Sequence, residues 1–474
     1  MNKSTKIVAT IGPATETEQI IQELIRSGMN VARFNTKHGT PEWHQERIAR
    51  VKKVARSLNE PIAVLLDLQG PEIRLTIPGG EAFEIDEGDL LLLTSDENGT
   101  NPRSAFVPQM VVDALNIGDK LLVDDGLGEF VVSEKMGMEI HATALTKVKV
   151  GNRKTLNTPG VEMDMPSLIP ADYKQLDGIA EGNVDYVALS FVRNALDITI
   201  LRKELERRNI VASIVAKIEN QAAIDNIDEI IQATDAVMVA RGDLAVEIPF
   251  EELAFWQKII IQKSREFAKP VITATQMLKS MVDHPRPTRA EVSDVANAIY
   301  DGTDAVMLSE ETTIGKYPVK AVATQARIAI FNEVHAQPKP VVTSDSDESA
   351  YICHAAISLL EISLLETNNI TVNKIVCLTE TGQTALNLAR FRPHVPLHAL
   401  TSSRQTYEKL SLVFDVQPHI VELPSGDKLE SSEQLLEKIT ELGIAKAGET
   451  VLLVHGTFWK KPGLTNTLSI LHIE

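Results

Sequence analysis

Short apolar runs rich in β-branched residues alternate along this chain with segments of helical period. Eight such runs cover residues 6–11, 31–34, 62–67, 186–190, 212–216, 236–240, 271–275 and 305–308. Near-continuous apolar strands are those buried on both faces, as in parallel sheets. Between them, residues 18–26 set Ile21, Leu24 and Ile25 on one stripe, with Gly28 placed to cap the helix end. Residues 43–56, 198–207, 221–232 and 251–267 read as further helices. Eight strands alternating with helices predict a (β/α)8 TIM barrel, an α/β fold.

The alternation breaks once. After Asp67 the chain enters Gly70-Pro71, and residues 72–166 read as β-rich, with runs at 82–85, 90–93, 120–123, 129–132 and 140–145. This predicts a small β-barrel lid inserted after the third barrel strand. A Pro/Ser/Asp-rich stretch at 337–349 reads as a linker. Beyond it, strands at 374–378, 397–401, 419–423 and 450–454, with helices at 349–366 and 432–442, predict a C-terminal α/β domain. The expected organisation is barrel 1–70, lid 71–167, barrel 168–338 and C-terminal domain 339–474.

Composition narrows the function. The chain has 474 residues, 43% hydrophobic and 24% charged, which fits a soluble globular protein of several domains. Its two cysteines make no disulfide framework or paired metal motif, so a cytoplasmic location is expected. The opening MNKSTKIVATIGP lacks the apolar run of a signal peptide, and no stretch reaches membrane-spanning length. A net charge of -18 argues against nucleic acid or an anionic membrane as partner. It says nothing against phosphate ligands, which local geometry holds.

Barrels of this kind carry chemistry at the C-terminal ends of their strands. Those ends read Arg33 and Asn35; Asp67; Ser190, with Arg193 beyond; Lys217-Ile218-Glu219-Asn220; Arg241-Gly242-Asp243; Thr275-Gln276; and Ser309-Glu310-Glu311. Glu219 and Asp243, from adjacent strands, suit Mg²⁺, which takes a couple of carboxylates plus water and substrate oxygens. Lys217 and Arg33 put positive charge where phosphoryl oxygens would gather it. Gly242 lets backbone N–H groups approach an anion. A structural salt bridge is the commoner explanation of any single Lys–Glu pair. The 11 histidines show no metal-ligand spacing. Met277 and Met281 read as packing, and Lys52-Lys53 as a solvated helix face.

These residues sit in motifs that resemble the pyruvate kinase family over nearly the whole chain. They are TKIVATIGPAT (5–15), GMNVARFN (28–35), LLDLQGPEIR (65–74), VDDG (123–126), KIEN (217–220), MVARGDLAVEIP (238–249), PVITATQML (270–278), PRPTRAEVSDVANAIYDGTDAVMLS (285–309) and TNT (465–467). The resemblance implies glycolytic phosphoryl transfer from phosphoenolpyruvate to ADP, giving pyruvate and ATP, with Mg²⁺ or Mn²⁺. It implies that Lys217 stabilises the transferring group and that Glu219 and Asp243 hold the divalent metal. Arg33, Lys217, Gly242, Asp243 and Thr275 would contact phosphoenolpyruvate, with Thr275 on the route that protonates the enolate. Arg74, His38, Lys154 and Asp125 match nucleotide-side positions. It also implies a homotetramer.

The chain departs from the family's pattern in three respects, the first involving two residues of one monovalent-cation site. The family's serine after strand two, which helps hold a monovalent cation beside Asn35, Asp67 and the residue after it, is here Lys37. The residue after Asp67, usually threonine binding through its carbonyl, is Leu68. Either the Lys37 ammonium takes the potassium position and activity is potassium-independent, or Lys37 points to solvent and K⁺ still binds. Gln69 stands where lysine is usual, and Glu310 where glycine is usual, paired either by Lys37 or by an arginine.

In the C-terminal domain, Thr379, Thr381, Gly382 and Thr384 lie between a strand and a helix. The resemblance assigns such a loop to the phosphate of a sugar-phosphate or AMP effector, and ordinary N-capping is the competing reading. Lys460 and Lys461 could meet a second phosphate. Two other functions stand beside the kinase: a metal-dependent aldolase on the same barrel, and a non-catalytic paralogue that senses sugar phosphates.

Overall fold

The computed structural model describes residues 3–96, 101, 103–179, 183–337, 339–343, 348–363, 371–422, 432–457 and 465–474. Lys460 and Lys461 lie outside the described residues.

The eight apolar runs form strands β1 (Lys6–Thr10), β2 (Val31–Asn35), β3 (Ala63–Asp67), β4 (Tyr186–Leu189), β5 (Ser213–Ile218), β6 (Ala236–Ala240), β7 (Val271–Ala274) and β8 (Ala305–Leu308). All are parallel, and β8 pairs with β1 to close the barrel. Alternate side chains fill its interior, among them Val8, Val31, Leu65, Tyr186, Val215, Met238, Ile272 and Met307. The opposite set packs under the surrounding helices.

The helices begin and end where local chemistry satisfies their free backbone groups. Thr17 accepts from Ile20 N, and Gly28, at φ 117, ends the first helix (Glu18–Ser27) in the left-handed region. The second helix (Pro41–Leu58) opens on Thr40 and Pro41. The predicted helix over 221–232 is two helices, Gln221–Asp225 and Ile227–Ala233. Asn226 separates them, its side chain donating to the Arg193 carbonyl at 3.0 Å. A polar residue with a competing backbone partner interrupts a pattern that periodicity alone would continue.

The insert forms a six-stranded sheet and a two-stranded ribbon around its own core. The sheet's two edge strands are Leu156–Asn157 and Ser104–Phe106. The segment at residues 74–76 bridges both, Arg74 to Thr155 and Thr76 to Phe106, so a single irregular strand completes the small barrel. The ribbon strand Val148–Val150, both edge strands and a helix at Gln109–Ala114 escape the sequence pattern, being only two to six residues long.

The C-terminal domain is a five-stranded sheet, parallel except for Thr465–His472 at its edge. It docks on the bottom of the barrel, where Leu412 joins the interior cluster of barrel residues. The reading of Lys52 as solvated is corrected here. Lys52 is 2% exposed, and its ammonium lies 2.5 Å from both Asp185 of the barrel and Glu408 of the C-terminal domain. Lys53 is exposed and pairs with Glu18. Adjacent residues on a helix point about 100° apart, so one lysine can face a domain interface while its neighbour faces water.

Candidate active site at the barrel mouth

Strand periodicity decides which residues converge at the mouth. Interior positions recur every second residue. On β5 the interior residue Val215 is followed by Lys217 and then Glu219. On β3, Leu65 is followed by Asp67; on β2, Val31 by Arg33 and Asn35; on β4, Ala188 by Ser190. The same count on β6 leads from Met238 through Ala240 to Gly242.

The resulting cluster is a buried alternation of charges. The Lys217 ammonium lies 2.8 Å from Glu219 Oε1 and 3.3 Å from Asp67 Oδ1, and donates to Ser190 Oγ at 2.6 Å. Arg33 reaches Asp67 Oδ2 at 2.7 Å and Thr10 Oγ1 at 2.9 Å. Glu219 Oε2 accepts from Phe191 N at 2.7 Å. Burial opposes the charge on Lys217, but Asp67, Glu219 and Asp243 overcome it and raise its pKa above the usual value. Burial likewise opposes ionisation of Asp67, yet Lys217 and Arg33 hold its carboxyl below the usual range. Glu219 shifts the other way: burial raises it, with Asp243 adding repulsion and Lys217 only partly compensating. Glu219 thus needs more positive charge than the chain supplies.

Three buried side-chain atoms here lack a hydrogen-bond partner among the described residues: Asp67 Oδ1, Glu219 Oε1 and Thr275 Oγ1. The first two touch the Lys217 ammonium without hydrogen-bond alignment. Under-satisfied oxygen donors beside Asp243 fit a hard divalent cation completed by substrate and water. No group of three or more His, Cys, Asp and Glu side chains that could hold a metal ion exists among the described residues, so an ion held by Glu219 and Asp243 would rely on external oxygens for the rest of its shell.

Above the cluster opens a cleft of about 1770 Å³ between the barrel and the lid, with Gly242, Asp243 and Thr275 in its wall. Arg74, Asp125 and Lys154 line its lid side. Arg74 pairs with Glu72 at 2.9 Å and donates to Arg153 O at 2.7 Å. Lys154 pairs with Asp124 at 2.6 Å, and Asp125 accepts from Thr155 Oγ1 at 2.9 Å. His38 is exposed and is not among the lining residues.

Thr275 departs from strand parity. Ala274 is interior, so Thr275 would face outward if β7 ran on. Instead Thr275 and Gln276 adopt φ of 71° and 54°, the left-handed region that non-glycine residues enter at about 1–3 kcal/mol each. The turn brings Thr275 Oγ1 to 3.5 Å from the point where a side chain on Gly242 would begin.

Lys37 does not sit among its expected ligands. Its ammonium pairs with Glu72 at 3.4 Å. Asn35 Oδ1 accepts from Lys37 N at 3.1 Å, Leu68 O accepts from Ser190 Oγ at 2.7 Å, and Asp67 O accepts from Thr36 Oγ1 at 2.9 Å. Glu310 pairs with Lys279, not with Lys37 or an arginine. The motif around Glu72 pointed to this region, but nothing in sequence marked its pairing with Lys37. Gln69 donates its backbone N–H to Asp172 at 2.9 Å.

In the C-terminal loop, Thr379 Oγ1 accepts from Gly382 N at 2.9 Å and Thr384 Oγ1 bonds Thr465 Oγ1 at 2.7 Å. Thr381 is exposed, and Gly382 takes φ 94 at the helix start. The Glu380 carboxylate accepts from Ser402 Oγ at 2.9 Å.

Comparison with known proteins agrees along the whole chain. The family described as "Pyruvate kinase, barrel domain" matches residues 2–322, and "Pyruvate kinase, alpha/beta domain" matches residues 352–471. A pyruvate kinase of Staphylococcus aureus (strain MRSA252) is 40% identical over 99% of this chain and 80% of its own length. One from Staphylococcus epidermidis (strain ATCC 12228 / FDA PCI 1200) is 39% identical with the same coverage. The crystal structure of a pyruvate kinase from Cryptosporidium parvum superposes with a TM-score of 0.88 at 31% identity, covering 100% of this chain and 96% of that one.

Proposed function

The chain belongs to the pyruvate kinase family, and we propose from that premise how its barrel mouth performs the family's reaction. The reaction is phosphoryl transfer between phosphoenolpyruvate and ADP, giving pyruvate and ATP. The bond from phosphorus to the enol oxygen breaks, a bond to a terminal oxygen of ADP forms, and the enolate takes a proton at its methylene carbon. A divalent cation, Mg²⁺ or Mn²⁺, held by Glu219 and Asp243, would neutralise phosphoryl and carboxylate oxygens. Lys217 stabilises charge on the transferring group. Arg33, braced against Asp67, binds the substrate phosphate. Backbone N–H groups at Gly242 and Asp243 orient the substrate, and the Thr275 hydroxyl serves the proton route. Arg74, Lys154 and Asp125 hold the nucleotide from the lid, and His38 would reach it only if its loop turned inward. Excluding water under the lid limits hydrolysis of the donor.

The observation that carries this reading is the Lys217 ammonium between the buried carboxylates Asp67 and Glu219. A coupled assay for pyruvate from phosphoenolpyruvate, ADP and Mg²⁺ tests it. The aldolase and the non-catalytic sensor both require no turnover in that assay.

Potassium independence belongs to the same proposal, in altered form. The Lys37 ammonium pairs with Glu72, its backbone N–H bonds Asn35 Oδ1, and oxygens of Asn35, Asp67 and Leu68 already accept hydrogen bonds. The wild type should keep most of its activity in potassium-free buffer. Lys37→Ser should lose at least tenfold and regain it with KCl. Strong KCl activation of the wild type would sink the idea.

The proposal extends to a homotetramer and to an effector phosphate at Thr379, Thr381, Gly382 and Thr384. Exposed Phe250, Phe331 and Val334 favour further burial. Sedimentation velocity should give four times the chain mass, and fructose 1,6-bisphosphate, ribose 5-phosphate or AMP should raise the melting temperature. A monomer, or no shift with any of the three, would remove the corresponding claim.

A further inference from the structure

Arg241 stands just past the end of β6, out of phase with the interior residues Ala236 and Met238, so strand parity carries it to the side away from the barrel interior. Its guanidinium reaches across to the end of β7. Nε donates to Ala274 O at 3.1 Å and Nη2 to Thr275 O at 2.7 Å. Nη1 and Nη2 each lie 2.7 Å from one oxygen of Asp294, on the helix Arg289–Asp301. Nη1 also donates to Gln257 Oε1 at 3.2 Å. One planar group therefore grips two consecutive carbonyls at the point where the chain leaves strand geometry, and a carboxylate fixes the plane of that group from behind. The residues so gripped lead into the left-handed pair Thr275 and Gln276. The hydroxyl they present, Thr275 Oγ1, is buried and has no hydrogen-bond partner among the described residues.

We infer that Arg241, oriented by Asp294, is a positioning residue that holds Thr275 in its left-handed conformation and so aims the Thr275 hydroxyl at the substrate beside Gly242. The carbonyl grip supplies what local preference withholds. Without it, β7 would relax toward ordinary backbone and Thr275 would turn toward the outside of the barrel. Strained backbone persists only where its surroundings over-determine it. A guanidinium can bridge two carbonyls and a carboxylate at once, because its donors lie in one rigid fork. An ammonium cannot span all three. The inference rests on the role given to Thr275 above, and its test separates the two.

The test is a double-mutant cycle of Arg241→Lys and Thr275→Ala, with kcat and the KM for phosphoenolpyruvate measured in each. Exchange of pyruvate methyl protons with solvent deuterium provides a third readout. Arg241→Lys keeps the charge opposite Asp294 and should melt near wild type. It should lower kcat about 30-fold, in the range of losses from misplaced catalytic groups, with KM changed less than threefold and proton exchange slowed in step with kcat. In the Thr275→Ala background the same change should cost less than threefold, since there is no hydroxyl left to aim. Asp294→Asn, which keeps a hydrogen bond but loses the charge, should fall between wild type and Arg241→Lys. A wild-type kcat in Thr275→Ala would overturn the role of Thr275 and the clamp with it. Near-normal kcat in Arg241→Lys beside an impaired Thr275→Ala would overturn the clamp alone, as would full additivity of the two.

Discussion

Lys217→Met is expected to lower kcat by roughly a thousandfold or more, the scale on which a single charge at a transferring phosphoryl group operates. The same change leaves Asp67 and Glu219 facing each other without the ammonium that now lies 3.3 and 2.8 Å from them. Uncompensated buried charge commonly costs about 3–5 kcal/mol. Two features reduce that cost here. Arg33 still neutralises Asp67, and Glu219, already raised by burial, can take up a proton. The variant should therefore fold while failing in catalysis. Coupled assays alongside thermal melts check both parts. Activity above a tenth of wild type would remove Lys217 from the phosphoryl-transfer role.

The largest stability effect is expected at Lys52, far from the mouth. Lys52→Met should cost about 3–5 kcal/mol, because Asp185 and Glu408 stay buried after their shared cation is gone. Glu408 keeps Arg404 at 2.7 Å, and Asp185 keeps the Val64 N–H at 2.6 Å, so Asp185 bears most of the loss. The pH dependence follows from its titration. Burial pushes Asp185 up to about 6, with Lys52 pulling it back only in part. A carboxyl raised in the folded state contributes most at low pH, below its unfolded pKa, and that contribution is lost as pH rises through the folded value. Removing Lys52 makes the ionised form costlier still. Urea denaturation should accordingly show a larger deficit for Lys52→Met at pH 8 than at pH 5. An equal deficit at both would mean that the loss is one of packing.

Much of the molecule could be read from local pattern. The barrel strands are apolar because both their faces are buried, so they stand out as uninterrupted runs. Period-two counting along those strands then carries Arg33, Asp67, Lys217 and Glu219 to one rim. The lid's shortest strands were not visible, since two or three residues carry no periodicity and owe their conformation to the sheet they edge. The helix predicted at residues 221–232 failed for a related reason: Asn226 breaks it through a bond to Arg193, 33 positions away.

The sequence by itself determined the barrel, the inserted β-rich domain and the convergence of Arg33, Asp67, Lys217 and Glu219 on one rim. Those follow from periodicity, which acts between neighbours in the chain. Only the tertiary structure decided three other matters. Lys52 is an interdomain cation because Glu408 arrives from a separate domain. Lys37 pairs with Glu72 at the lid boundary because the barrel and lid meet there. Thr275 leaves strand parity at a turn where Arg241, itself paired with Asp294, bonds the Ala274 and Thr275 carbonyls. Each depends on partners dozens to hundreds of residues away, brought together only by tertiary packing, between domains for the two lysines and within the barrel for Thr275.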